Sequence, residues 1–262
     1  MSRPSHPLAP SRPSMGPEIP EPFFLFILNP PFSGSTALAR LLCSVPGSAI
    51  LNALGEGLRY LPRWHETNRW DDRAPPPTAL RDIWMGKLAQ NAQDFGEPAR
   101  IIIEKSPPLL VHLDAVLEMF PRYGIFGFNR DPYGFCASVI RRQIPPLPGM
   151  TLAHSAAARW LRFSQMLRRH IDARTLLWLR YEDLCDQPKV SAARLIGRFP
   201  QLRGVDFTRP LSVKNRPPQP LANHNSHQIA QLSREQRAHI AETLHQDPET
   251  VRFFGYAIEP MR

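Results

Sequence analysis

Apolar residues fall in short unbroken runs, separated by stretches with helical spacing. Four runs read as strands buried on both faces of a parallel sheet: FFLFIL (23–28), RIIIE (100–104), YGIFGFN (123–129) and TLLWL (175–179). Helical spacing follows or precedes each, at 35–45, 78–92, 109–120, 132–143 and 151–171. A further helix at 233–244 opens with Ser-x-x-Gln, the signature of a capping box. Pro132 falls at a first helical position, where its missing N–H is no loss. Strands alternating with helices predict a doubly wound α/β sheet in a single domain over 23–262, with ligands beyond the carboxyl ends of the strands. The first 22 residues hold seven prolines and no apolar run, which predicts a disordered arm rather than a secretory leader.

Composition narrows the partners. The chain has 262 residues and a net charge of +9, carried by 28 arginines and only four lysines. Such an excess attracts phosphorylated ligands, nucleic acid or anionic surfaces, or simply follows from a chain rich in Arg, Ala and Pro. No helix-turn-helix, zinc or RNP pattern is present, so nucleic acid is not an expected partner. Cys43, Cys136 and Cys185 stand far apart. That spacing argues against a disulfide framework or a zinc site and fits a reducing compartment, so a cytoplasmic location is expected. His224 and His227 lack a third ligand at metal spacing, so no metal is expected. No apolar run approaches the ~20 residues that span a bilayer.

Chemistry concentrates where the strands end. After the first comes Asn-Pro-Pro-Phe and then Ser33, Gly34, Ser35 and Thr36. Backbone N–H groups at a helix start, with hydroxyls beside them, bind anions, although the same residues also serve ordinary capping. No lysine follows Gly34, which sets the loop apart from an ATP-binding one. The third strand ends at Arg130, with Ser138 and Arg142 further along the next helix. A guanidinium with a hydroxyl suits a phosphate, and an Arg130–Asp131 pair is the plainer alternative. The fourth strand leads into Arg-Tyr-Glu-Asp-Leu, where Tyr181 either lies against a ligand or begins a helix with acidic residues in its first turn.

In this order and context, the segments resemble the sulfotransferase family that uses 3′-phosphoadenosine 5′-phosphosulfate (PAPS). The match is to its bacterial and tyrosylprotein-sulfotransferase-like branch, over residues 23–199. The resemblance implies a P-loop-type fold and PAPS as donor, leaving 3′-phosphoadenosine 5′-phosphate (PAP). The sulfuryl group would pass in line to a hydroxyl or amine of a small-molecule or peptide acceptor, without a metal. It assigns Ser33, Gly34, Ser35 and Thr36 to the 5′-phosphosulfate, Arg130 and Ser138 to the 3′-phosphate, Arg142 as a further arginine, and Tyr181 beside the cofactor. It makes Lys105, after the second strand, the cation at the transferring group, and Glu56, in Gly55-Glu56, the general base. A solvated strand-end lysine and an acidic turn residue are the plainer readings of these two. The histidine base of the cytosolic branch has no counterpart, because Ser106-Pro107-Pro108 stand in its place, and His112 reads as a helix-surface residue.

One departure stands out: Phe32 occupies the position of the family's basic loop residue. Either Lys105 or another basic side chain compensates, or the loop works through backbone N–H groups alone, or the protein binds the nucleotide and turns over poorly. The family's closing segment corresponds to 211–233, where Lys214, Arg216 and Ser226 are candidates to reach the cofactor. Between loop and second strand, Tyr60, Trp64 and Trp70 lie among arginines, either to stack on an acceptor or to fill the core.

Overall fold

The structure, a computed structural model, describes residues 21–95, 98–212 and 217–260. Strands β1 (Phe23–Leu28), β2 (Ser48–Ile50), β3 (Ile101–Glu104), β4 (Tyr123–Asn129) and β5 (Trp178–Arg180) form one sheet in the order β2-β3-β1-β4-β5. Every neighbouring pair is parallel. The helices among the described residues are α1 (Ser35–Leu42), α2 (Pro62–Thr67), α3 (Leu80–Phe95), α4 (Leu109–Leu117), α5 (Pro132–Arg141), α6 (Leu152–Arg174), α7 (Tyr181–Asp186), α8 (Pro188–Arg198), α9 (Asn225–Ala230), α10 (Arg234–Leu244) and α11 (Pro248–Phe253).

Strand periodicity explains the layers. Along β1, Phe24, Phe26 and Leu28 face a core built with α3, α4, α5, α6, α10 and α11. Leu25 and Ile27 face the opposite core, built with α1, α7 and α8. Both faces are covered, so β1 needs no polar position, and its run is continuous. The chain leaves β1 for β3 and β2 on one side and returns to β4 and β5 on the other. The reversal puts the ligand-binding crevice of an open α/β sheet at the carboxyl end of β1.

The single-domain α/β expectation is met, with differences in detail. β2 is a fifth strand, three half-buried residues at the sheet edge, too short to register as an apolar run. β5 starts at Trp178 because α6 runs on to Arg174 and ends at Thr175, whose φ is +50°. Helices α2, α7, α8, α9 and α11 add to those expected; Pro62, Pro188 and Pro248 begin three of them. The capping box on α10 is formed by both bonds, Gln236 N to Ser233 Oγ and Ser233 N to Gln236 Oε1. Residues 1–20 of the expected arm lie outside the described residues, and Glu21 pairs with Arg81. No described helix is long and apolar enough to cross a membrane.

Candidate functional site

Five strand ends stand in a row and carry, in spatial order, Glu56, Lys105, the Ser33–Thr36 loop, Arg130 and Tyr181. The loop after β1 is tight: Phe32 has φ +61° and Gly34 φ +89°. A Cβ on Gly34 would lie 2.7 Å from Tyr181 Cδ2, so only glycine lets the Tyr181 ring rest on the loop. Helix α1 starts at Ser35 with no side-chain cap. Ser33 Oγ is fully buried and has no hydrogen-bond partner among the described residues, and neither has Asn29 Oδ1 just before it. A buried orphan of this kind costs about 1–3 kcal/mol. Two of them at one strand end mark a place built to receive further polar groups.

Arg130 lies at the next strand end, only 5% exposed. Its Nε donates to Asn225 Oδ1 at 2.8 Å, Nη1 to Ser138 Oγ at 3.2 Å and to Phe32 O at 3.3 Å, and Nη2 to Gln228 Oε1 at 3.0 Å. The guanidinium also stacks over the Tyr181 ring, 4.6 Å from its centroid. All of these acceptors are neutral. Asp131 does not pair with Arg130; its carboxylate caps α5 by accepting Gly134 N at 2.8 Å. Burial lowers the pKa of Arg130 and pushes Asp131 up to about 6, both signs of charge held away from water. Arg142 caps the end of α5, donates to Ser138 O at 3.0 Å and lies over the Phe32 ring at 5.2 Å. The residue that departs from the family pattern therefore carries a guanidinium on its face.

On the other side of the loop, Lys105 Nζ donates to Glu56 Oε1 at 2.6 Å. The Lys105 side chain is 3% exposed and that of Glu56 12%, which rules out a solvated lysine. Arg59, half exposed, pairs with the other oxygen, Glu56 Oε2. Burial alone would raise the Glu56 carboxyl; Lys105 and then Arg59 outweigh it and hold the pKa below the ordinary carboxylate value. The loop bearing Glu56 is pinned on all sides. Gly55 has φ +71°, and its carbonyl accepts from Lys105 N at 2.9 Å. Asn52 Oδ1 accepts from Glu56 N at 3.2 Å while its Nδ2 donates to Glu56 O at 2.7 Å. Glu104, fully buried, accepts Gly57 N at 2.6 Å on one oxygen and Ser106 N at 2.7 Å on the other. Trp84 Nε1 donates to Gly57 O at 3.0 Å.

The structure thus gathers all ten expected site residues along one sheet edge, in two clusters flanking the loop. Sequence reasoning missed the groups that hold them: Asn52, Glu104, Glu182, Asn225 and Gln228. Glu182 takes Asp131 N at 3.0 Å, the Tyr256 hydroxyl at 2.9 Å and Asn225 Nδ2. Glu104 had a signal, an acid ending a strand of isoleucines; the amides had none. In the closing segment Ser226 is exposed on the outer side of α9, and Asn225 and Gln228 are the residues that reach the site. Lys214 and Arg216 lie outside the described residues. His112 is not on a helix surface: it is buried against Trp64, ring centroids 4.9 Å apart, at a kink in α4. Trp64 donates to Ala74 O at 2.8 Å, and Trp70 packs on Phe163 at 5.0 Å.

Residues 22–203 match the profile of the Sulfotransferase family. Among solved structures, a sulfotransferase from Alicyclobacillus acidocaldarius superposes with a TM-score of 0.51 at 14% identity, over 90% of this chain and 97% of that one, a likeness of fold. STF1 of Mycobacterium tuberculosis gives 0.47 at 16% identity, over 91% and 78%. The sulfotransferase domain of the Synechococcus PCC 7002 olefin synthase gives 0.45 at 23%, over 75% and 78%. No curated protein matches the chain.

Proposed function

Because the chain belongs to the sulfotransferase family, we propose that it moves a sulfuryl group from PAPS to a hydroxyl or amine, with Glu56 as general base and Lys105 as the stabilising cation. The observation that carries this reading is Arg130. It is a buried guanidinium beside a hydroxyl, hydrogen-bonded among the described residues only to neutral acceptors. A buried cation without a hydrogen-bonded counter-ion is costly, and a phosphate supplies both the charge and the geometry. Ser33 Oγ, buried and unpartnered, offers a donor to the 5′ end of the same nucleotide.

PAPS would supply an activated sulfuryl group on a phosphate oxygen; the protein's task is positioning and charge control. Glu56 removes the acceptor's proton as the acceptor atom bonds to sulfur and the bond from sulfur to the bridging phosphate oxygen breaks. The electron pair of that bond leaves with PAP. Lys105 faces the charge that develops there. The two oxygens of Glu56 are not equivalent: Lys105 holds the inner one, and the half-exposed Arg59 holds the outer one. The outer oxygen is the one an acceptor reaches when Arg59 swings into water.

The acceptor enters over residues 57–77. A cleft of 790 Å³ opens there, lined by Arg69, Trp70, Arg162, Met166 and Arg169 together with the carboxylates of Glu66 and Asp71, and gives an acceptor both aromatic and charged groups to meet. A second reading, a weakly active nucleotide-binding relative, rests on Phe32; the guanidinium of Arg142 over its ring argues for compensation instead.

Calorimetry with PAP, AMP and ATP tests the reading. Tight binding that requires the 3′-phosphate is expected. Equal affinity for PAP and AMP, or a preference for ATP, overturns it.

A further inference from the structure

The donors expected to grip the 3′-phosphate are already engaged. Gln228 Oε1 accepts from Arg130 Nη2 at 3.0 Å and from Ser138 Oγ at 2.9 Å. The identity of that atom is forced, because arginine has donors and no acceptor, so the amide must turn its oxygen inward. One neutral oxygen thus stands between a guanidinium and a hydroxyl, where an oxygen of a phosphate would stand.

The neighbouring amide behaves differently. Asn225 Oδ1 takes Arg130 Nε, and Asn225 Nδ2 is tied to Glu182 Oε1. A Cβ on Gly134 would lie 2.5 Å from Asn225 Oδ1, so α5 is shaped around this side chain. Asn225 is built in at both ends and aims the guanidinium. Gln228 has only its oxygen engaged; its Nε2 donates to no described residue. Holding a Gln side chain by one atom is the weaker arrangement, and its long side chain regains rotamer freedom on release.

We infer that Gln228 sets the affinity for the 3′-phosphate by competing with it: its amide oxygen occupies the grip in the free protein and must withdraw when the nucleotide binds. This rests on the proposed use of PAPS. The competition costs PAP two exchanged hydrogen bonds, while AMP, lacking the 3′-phosphate, leaves Gln228 in place. It also keeps Arg130 and Ser138 satisfied between turnovers, which an empty buried grip would not.

The test is calorimetry of the full chain with PAP and with AMP, for the wild type, Gln228→Ala and Gln228→Glu, with thermal melts to show that each variant is folded. Gln228→Ala removes the competitor and is expected to bind PAP about ten-fold tighter, with AMP affinity unmoved. Gln228→Glu places a fixed carboxylate on Arg130 and is expected to bind PAP at least about ten-fold more weakly, again sparing AMP. If Gln228→Ala weakens PAP binding or leaves it unchanged while the wild type still prefers PAP to AMP, Gln228 is a donor or a bystander. The inference then fails and the proposed function stands. If the wild type does not prefer PAP to AMP, the proposed function fails, and this inference with it. Should Gln228→Ala melt below the assay temperature, Gln228→Glu against the wild type decides: undiminished PAP affinity overturns the inference.

Discussion

Lys105 and Glu56, 49 residues apart in the chain, meet through a hydrogen bond of 2.6 Å between ammonium and carboxylate. β2 and β3 are neighbours, and the loops that follow them close on each other, so the contact is a product of strand order. The pairing keeps Glu56 ionised, because its lowered pKa leaves it a carboxylate through neutral pH. A depressed folded-state pKa contributes stability that is present above the unfolded value and lost as pH falls through the folded one. Acid therefore weakens this pair only below the ordinary carboxylate range.

Glu56→Gln is expected to lower kcat by about 10²–10⁴-fold, the usual contribution of a general base. PAP affinity should barely change, since Glu56 stands apart from Arg130 and Ser138. Steady-state kinetics and calorimetry on the same preparation check both; unchanged turnover would remove Glu56 from the mechanism.

Glu104 gives a pH signature. Burial pushes its carboxyl up to about 7 from an ordinary 4.5. A raised folded-state value means that its contribution to stability is complete below the unfolded pKa and is lost as pH rises through about 7. Yet the ionised form is the one that accepts both Gly57 N and Ser106 N and so fixes the base beside Lys105. Activity should rise across neutral pH while this contribution to stability falls. Glu104→Gln turns an amide N–H₂ on one of those backbone donors, at a cost of about 1–3 kcal/mol. It should lower kcat/KM at every pH and erase the neutral limb. Profiles of kcat/KM between about pH 5.5 and 8.5, with melting temperatures alongside, test this; a neutral limb that survives in the variant would assign it to another group.

Arg130→Ala should remove the preference for PAP over AMP. Hydrogen bonds to a charged group are worth about 1.5–3 kcal/mol, or roughly ten- to a hundred-fold in affinity. An equal loss for both nucleotides would indicate a general collapse of the site, which loss of the Tyr181 stacking and the Asn225 bond would also reveal as a lower melting temperature.

Arg142 and Phe32 should behave as a pair. With Arg142 over its ring, Phe32→Arg adds a second guanidinium beside the first and brings no gain in turnover. Arg142→Ala should weaken PAP binding, and Phe32→Arg in that background should restore part of the loss. A large gain from Phe32→Arg alone would show that the natural loop lacks a cation it needs.

Much of this site was legible in the chain. β1, β3 and β4 read directly because a strand covered on both faces shows as an apolar run, with Glu104 and Asn129 only at the last positions of β3 and β4. Arg130, Lys105 and Tyr181 read as strand-end residues, and Gly34 as part of an anion-binding loop; its positive φ came from the fold. β2 escaped because three half-buried edge residues make no run. His112 escaped because an isolated histidine on a helical pattern does not reveal which face is covered; α2 and Trp64 bury it.

Most of the elements, and the chemistry at their ends, are written locally in the chain. Hydrophobic period, proline and glycine placement and helix capping act over a few residues, so they are written where they operate. Which of those ends meet depends on the packing of the whole fold. Strand order placed β1 between β3 and β4 and brought Glu56 to Lys105; the packing of α9 on α5 put Asn225 and Gln228 onto Arg130. Amides that satisfy a buried cation across the fold carry no local periodicity, so nothing in their own stretch of chain announces them. Their role follows from the cost of leaving a buried guanidinium unbonded, and that cost exists only once the chain has folded around it.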